Sequence, residues 1–469
     1  MKQFKYGFLP FLLLVLTMSS CKKWLDVQPK TEMKQEELFA SQQGFNEAMV
    51  GAYVTMTKDA VYGRELTYGM LSVMASDYSV NSSSDLAIRY LKPVENFNYE
   101  VSQFRGMIDK AWLQQYNTIA QVNAILEHID AKKSIFSGHN YELIKGEALA
   151  LRAYIHFDLL RMFGPSYPHA GDTKYMPYVK TYGKESTPFS SVAEVINLAL
   201  ADLDQAEELM RMDDLGPTGG PDRQIRMNIY AVKGLKARIY LYMGDHIRAF
   251  QKAKEVIDAK KIRLRLAGAE VNTDRSFHAE HLFALFSDKF EKTAESNFLP
   301  GTGLTTTTPY YFTQESKITT NIFRNQPTDI RFKAPMMLGV KGYLVPHKYL
   351  YEDLAGASTP LVLKRNYIPL LRISELFYIA AEAAADQQTG LEYLNQVLAS
   401  RGLSPIVSTE DLQAEIAKEY RKEFFTEGQT FFYYKRLNAG RIEDSPVLEM
   451  QAKTYVFPLP EDEKIYGGK

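Results

Sequence analysis

Apolar side chains recur every three to four residues over most of this chain. From Val192 the series Val192, Val195, Ile196, Ala199, Leu203, Ala206 and Met210 marks one face of a helix and leaves Asp202, Asp204, Glu207 and Glu208 off it. Ser191, followed three residues later by Glu194, is a capping-box pair that places the helix start. The same spacing over 109–130, through Ile108, Trp112, Tyr116, Ile119, Val122, Asn123 and Leu126, predicts a second amphipathic helix. A third is predicted over 141–163 through Ala148, Leu149, Ala153, Tyr154, Phe157 and Leu160, stopped by Gly164-Pro165.

Further along, helices come in pairs. Ala231, Gly234, Leu235, Ala237, Tyr240 and Leu241 precede Gly244-Asp245, and Ala249, Phe250, Ala253, Val256 and Ile257 follow it. Small residues at 237, 244, 249 and 253 match a tetratricopeptide-type unit, in which small side chains let two antiparallel helices approach around a tight turn. A generic helical hairpin is the alternative. A fainter copy runs through Leu376, Ile379, Ala380, Ala383, Gly390, Leu394, Val397 and Leu398, and 109–163 offers another. The expected fold is mostly α, with tetratricopeptide-like pairs over about 36–60, 102–263 and 365–436.

Two stretches break this rhythm. Residues 61–101 are rich in Ser, Asn, Asp and Tyr, and 264–364 mixes short apolar pieces with Gly301-Thr302-Gly303 and a threonine run. Long irregular segments inside a folded body are usually functional or disordered, and the aromatic content of these two predicts order against the helices.

Composition narrows the function. Fifty-five Lys plus Arg against fifty-six Asp plus Glu, without long runs of one sign, leave no electrostatic footprint for nucleic acid. The single cysteine, Cys21, excludes an internal disulfide and stands at the end of an N-terminal segment. There Lys2 and Lys5 precede an apolar run from Phe8 to Leu16, then small residues lead to Cys21, the order of a secretory signal too short to span a bilayer. Leu16-Thr17-Met18-Ser19-Ser20-Cys21 is similar to a bacterial lipobox, which implies cleavage after residue 20 and acylation of Cys21. More than one acyl chain, at roughly 0.8 kcal/mol per buried methylene, holds a protein on a membrane almost permanently. The expected organisation is a signal peptide over 1–20 and one domain over 21–469.

Several blocks then carry a resemblance. Cys21-Lys22-Lys23-Trp24-Leu25-Asp26-Val27-Gln28-Pro29, the helix from Glu147 through Arg152-Ala153-Tyr154 to Phe163-Gly164, Asp329-Ile330-Arg331-Phe332 and the stretch from Leu371 to Ala383 are four of them. Leu394 to Gly402, Tyr420 to Arg436 and Phe457-Pro458-Leu459-Pro460 complete the set. In this order they resemble the RagB/SusD family of outer-membrane nutrient-binding lipoproteins. Phe431-Phe432-Tyr433 departs from the family's frequent Trp-Phe-Asp, and two tryptophans are few for it. The resemblance implies a SusD-like fold on the outer membrane, facing out of the cell, as a lid on a SusC-like TonB-dependent transporter. It implies capture of a glycan or, in some branches, a peptide, with tetratricopeptide-like helices meeting the transporter and no bond broken.

The shared charges Arg152, Asp158, Glu382, Arg421, Glu423 and Glu427 lie on apolar helices and are read as structural pairs. Sugar rings stack on aromatic faces and their hydroxyls need planar polar groups. The two irregular stretches supply both, so Asp77, Tyr78, Asn81, Arg89 and Tyr90 in the first and Tyr310, Tyr311, Phe312, Asn321 and Arg324 in the second are candidate ligand contacts. Gly-x-Ser-x-Gly, phosphate-loop, His-Glu-x-x-His and dinucleotide motifs are all missing, so no cofactor or catalytic set is indicated. His278-Ala279-Glu280-His281 has ligand-type spacing but no third partner nearby, and no metal is expected. A surface glycoside-active enzyme and an adaptor that binds only protein stay open as alternatives to the binding lipoprotein.

Overall fold

The capping pair forms as read: the Glu194 N–H donates to the Ser191 hydroxyl at 3.3 Å, and the Ser191 N–H donates to the Glu194 carboxylate at 2.6 Å. The structure, a computed structural model, describes residues 35–80, 87–213, 223–268, 273–299, 311–332, 337–340, 343–351, 354 and 363–467. Its main helices are α1 (Gln42–Met56), α2 (Ser102–Ile129), α3 (Asn140–Phe163), α4 (Val192–Leu209), α5 (Ile229–Met243) and α6 (His246–Ala259). They are followed by α7 (Phe290–Phe298), α8 (Ile373–Ala383), α9 (Gln387–Ser400), α10 (Leu412–Glu423) and α11 (Gln429–Arg436). Each of α1 to α5 packs on the next, after which α6 packs on α8 and α8 on α9, as stacked helical pairs do.

The α5–α6 pair has the predicted turn. Asn228 caps α5 by accepting from the Tyr230 and Ala231 N–H groups, Gly244 closes it with φ +78°, and Asp245 caps α6 through the Arg248 N–H. A left-handed residue at this point favours glycine because no Cβ meets the following carbonyl. The fainter copy is also real: Asp386 caps α9, and a Cβ on Gly390 would sit 2.7 Å from the Ala381 carbonyl oxygen, so the small residue sets how closely α8 and α9 approach. Helix α3 departs from the amphipathic reading. It is buried on all sides from Gly146 to Phe163, because α2 and α4 flank it and other segments close the rest.

Three two-stranded antiparallel ribbons complete the frame. They join β1 (Lys174–Pro177) to β2 (Phe189–Ser191), β3 (His281–Phe286) to β6 (Tyr367–Arg372), and β4 (Met337–Val340) to β5 (Tyr343–Pro346). Strand β6 lies inside the span read as helical from 365. Pro369, opposite Ala284 in the β3–β6 register, lacks the N–H a helix interior needs, and the extended β3 partner supplies pairing instead. The stretches read as irregular hold short elements of their own: a helical turn at Met70–Met74, a π-helical turn at Ala87–Leu91 and, in the second, β3, α7 and a π-helical turn at Lys317–Ile322. One buried apolar cluster, from Phe39 to Phe457, draws side chains from all eleven helices.

The charges on apolar helices are paired, as expected. Arg152 meets Asp202 at 2.7 Å, Arg161 meets Asp158, and Arg436 grips Glu382 at 2.7 and 2.8 Å. The densest set gathers Arg331, Arg372, Arg401, Lys348, Glu280, Glu423 and Glu427, all buried. Arg372 donates to Glu423 at 2.6 Å, Arg331 to Glu423 at 3.0 Å, Arg401 to Glu280 at 2.8 Å, and Lys348 to Glu427 at 2.7 Å. The set therefore ties the irregular stretch, through Arg331 and Lys348, to β6, α9 and α10.

Candidate functional site

The two irregular stretches meet along one seam. Ser79 N–H donates to the Phe312 carbonyl at 2.9 Å, the Thr313 hydroxyl donates to the Asp77 carbonyl at 2.9 Å, and the Lys317 amine donates to the Tyr78 carbonyl at 2.7 Å and the Ser76 hydroxyl at 3.1 Å. On the far side of the Lys317–Ile322 turn, Asn321 donates to Asp444 at 2.6 Å and Arg324 donates to both oxygens of Glu443 at 2.8 and 2.9 Å. Arg421, from α10, closes the arrangement onto Asp444 at 2.7 Å and Glu443 at 3.0 Å. Residues 76–79, 312–324 and 443–444, distant in sequence, thus form one polar constellation whose planar groups are fixed by one another.

The backbone here is strained. Ser76, Arg324, Asn325, Thr426 and Asp444 all have φ between +52° and +63°. Left-handed non-glycine residues cost on the order of 1–3 kcal/mol each unless local bonds hold them, and they gather at ligand clamps and switch regions. Both described π-helical turns belong to the same two stretches, a second irregularity common at functional sites.

The electrostatics differ between the buried seam and the polar constellation. Asp77 is buried, with Oδ2 accepting the Thr426 N–H at 3.0 Å. Burial raises its pKa to about 6 against the lowering effects of that bond, Ser72, Arg421 and Lys317. For Asp444, burial also pushes upward, but the Arg421 guanidinium and the Asn321 amide outweigh it and keep the carboxyl below its ordinary value.

The structure sorts the candidate contacts. Asn321, half-buried, and Arg324, exposed, stand in the constellation. Arg89 is exposed and Tyr90 half-buried on the Ala87–Leu91 turn. Tyr78, Tyr311 and Phe312 are corrections: their rings are buried in the core, the Tyr78 ring lies tilted against Tyr311 at 4.9 Å, and its hydroxyl donates to the Tyr68 carbonyl at 2.8 Å. Rings this large bury their apolar faces wherever two segments zip together, and here that seam is inside. Asp77 is likewise part of the wall behind the site. Asn81, Tyr310 and Cys21 lie outside the described residues.

Lys317, Glu443 and Asp444 were not among the candidates, and Arg421 was read only as scaffold. The turn signature Glu443-Asp444-Ser445-Pro446 was the available signal for two of them. In the His278–His281 segment, Glu280 is taken by Arg401, and the His281 ring is buried with Nε2 3.1 Å from the Ser276 carbonyl. Among the described residues no group of three His, Cys, Asp or Glu side chains is placed to hold a metal ion.

Comparison with known proteins agrees with this architecture. Residues 23–241 match a family model described as SusD-like, "Starch-binding associating with outer membrane", and residues 313–465 match the SusD family model. SusD-like protein P2 of Formosa agariphila is 23% identical, with 99% of this chain and 98% of that protein aligned. A SusD superfamily structure from Bacteroides thetaiotaomicron superposes with TM-score 0.72 at 21% identity, covering 91% of this chain and 98% of that one. A SusD-like carbohydrate binding protein from Bacteroides vulgatus gives 0.70 at 18% identity, covering 91% and 96%. A protein described as a laminarin-binding SusD-like protein gives 0.66 at 17% identity, covering 91% and 98%. With family models matched on both halves and the SusD-like helical fold in place, the chain belongs to the RagB/SusD family.

Proposed function

We propose that this protein is a lipoprotein of the outer membrane, anchored through acylated Cys21 and exposed at the cell surface, which captures a glycan and delivers it to a SusC-like TonB-dependent transporter. The observation that carries the reading is the convergence of both irregular stretches on the Asn321–Asp444–Arg421–Glu443–Arg324 constellation. Hydroxyl-rich ligands are recognised by planar donors and acceptors that need no reorganisation on binding, and these groups already hold one another in place. The family description as starch-binding and the laminarin-binding neighbour support a saccharide as cargo.

Binding without turnover is favoured by the carboxylates themselves. A glycosidase needs one carboxyl that keeps a proton and a second facing it across the scissile bond. Glu443 and Asp444 are instead bonded to Arg324 and Arg421. The stacked pairs α1 to α6 are the surface assigned to the transporter, and 21–469 is one functional body.

Calorimetric titration of the mature protein against plant, algal and host polysaccharides, their oligosaccharides and mixed peptides tests the reading. Heat with one glycan class is expected, weakened at least tenfold by Arg324→Ala. Heat with peptides alone moves the protein to peptide capture, release of reducing ends makes it an enzyme, and silence with tight transporter binding makes it an adaptor.

A further inference from the structure

Lys317 differs from Arg324, Arg421 and Lys92 around it. Arg324 is neutralised by Glu443, Arg421 by Asp444 and Glu443, and Lys92 by Glu95 at 2.7 Å. Among the described residues, the Lys317 ammonium instead makes two hydrogen bonds, both to neutral acceptors, the Ser76 hydroxyl and the Tyr78 carbonyl. An ammonium has three protons, so one remains beyond these two bonds. The side chain is half-buried at the head of the Lys317–Ile322 turn, between the buried seam and the Asn321–Asp444 pair.

The charged groups that face this amine come from four other segments: Asp77 from the first irregular stretch, Glu95 from the short helix at Lys92–Glu95, Arg421 from α10, and Asp444. Each carboxylate among them has another partner. Asp77 Oδ2 accepts the Thr426 N–H, Glu95 accepts from Lys92, and Asp444 accepts from Asn321 and Arg421. Burial, then the Arg421 charge, lowers the Lys317 pKa to about 8, with Asp444, Asp77 and Glu95 pulling it back up. A partly desolvated cation bonded only to neutral oxygens is incompletely compensated, and an arriving anion completes it.

We propose that Lys317 is a specificity-determining contact for an acidic saccharide, its remaining N–H pairing with a carboxylate or sulfate of the ligand so that the site selects anionic over neutral glycans. This rests on the glycan-capture reading and narrows its substrate class. A bound anion also favours the charged amine, so capture of an acidic sugar near pH 8 takes up protons.

The test is calorimetry on the full-length lipoprotein in detergent with matched ligands: oligogalacturonate and its methyl ester, a sulfated galactan oligosaccharide and its desulfated form, and neutral laminari-oligosaccharides. The carboxylate and sulfate arms separate the two anion types. At least one acidic ligand should bind ten-fold or more tighter than its neutral counterpart, with proton uptake at pH 8 read from the dependence of the heat on buffer ionisation enthalpy. Lys317→Gln keeps donors for Ser76 and Tyr78 without the charge and should abolish the preference, whereas Lys317→Arg should retain it and guards against misfolding of the first variant. Preference unchanged in Lys317→Gln overturns the proposal. Binding of neutral glycans alone also overturns it while leaving glycan capture standing, and binding of no saccharide removes both.

Discussion

Glu423 and Arg401 are joined by two hydrogen bonds, Nη2 to Oε1 at 2.6 Å and Nε to Oε2 at 2.9 Å, with both side chains wholly shielded from solvent. One sits at the end of α10 and the other just past α9, and Arg331 and Arg372 reach the same carboxylate. Burial alone would raise the Glu423 pKa, but Arg401, Arg372 and Arg331 together hold it well below the carboxylate range. Removing one member of such a set leaves buried charge without a partner, which costs about 3–5 kcal/mol. Glu423→Ala should therefore lower unfolding stability by that amount in chemical denaturation. A loss under about 1 kcal/mol, the scale of an exposed pair, would contradict this account.

Tyr311 provides the counterpart among the aromatics. It is buried against Tyr68, Tyr78 and Phe298 at 5.9, 4.9 and 5.9 Å. Tyr311→Ala should cost about 3–5 kcal/mol, the range for emptying a large aromatic site. Arg324→Ala, at an exposed ion pair, should change stability by no more than about 1 kcal/mol while weakening ligand capture. If the denaturation midpoint moved for Arg324 and not for Tyr311, the division between wall and ligand face would be reversed.

Gly390 tests the close approach of α8 and α9. An added Cβ would meet Leu412 Cδ2 at 2.5 Å and the Ala381 carbonyl oxygen at 2.7 Å, and the second is backbone that cannot swing away. Gly390→Ala gains roughly 0.5–1 kcal/mol in helix preference, yet overpacking costs about 1–3 kcal/mol. The net expectation is destabilisation, measured by thermal and denaturant unfolding, and an equal or higher midpoint would show that the helices can separate freely.

His156 predicts a pH dependence. Its ring is buried, stacks on Tyr178 at 3.9 Å and accepts the Val179 N–H at Nε2, and burial lowers its pKa to about 3. The unfolded chain then binds a proton between about pH 6.5 and 3 that the folded chain does not, so this residue removes stability as pH falls through that window. Asp77, raised to about 6, acts in the opposite sense and removes stability as pH rises from about 4 to 6. Denaturation midpoints from pH 7 to 4 should fall less steeply in His156→Gln than in the parent protein. Identical slopes would show that the ring protonates in the folded state.

Cys21→Ser should move the mature protein from the membrane pellet to the soluble fraction, since no helix among the described residues is long and apolar enough to cross a membrane. Continued pelleting after washing would refute the lipid anchor.

Local physics was readable from the chain. The Ser191–Glu194 cap and the Gly244 turn between α5 and α6 are each decided within a few residues, so periodicity and capping chemistry located them. The pairing of Arg152, Asp158, Glu382, Arg421, Glu423 and Glu427 was also foreseeable, because a buried charge must be compensated whatever the fold. Which partner each takes was not: Arg152 reaches Asp202 and Arg421 reaches Asp444 only once the helices have docked.

The candidate site was marked in the sequence as two regions more than as residues. Composition marked both irregular stretches, and Asn321 and Arg324 were named from them. The same mixture of Tyr, Asn and Asp also drew in Tyr78, Tyr311 and Phe312, whose burial follows from the backbone bond between Ser79 and Phe312 that turns the seam inward. Lys317 and the Glu443–Asp444 pair went unnoticed because their role arises from contacts across 22 to 241 residues of chain, between groups that carry no shared local pattern. Sequence alone determined most of the helical spacing, the Ser191–Glu194 cap, the family blocks and the need for charge pairing, since these are short-range or compositional. Tertiary structure alone decided which aromatics are wall and which polar groups face out, because burial is a property of the packed chain.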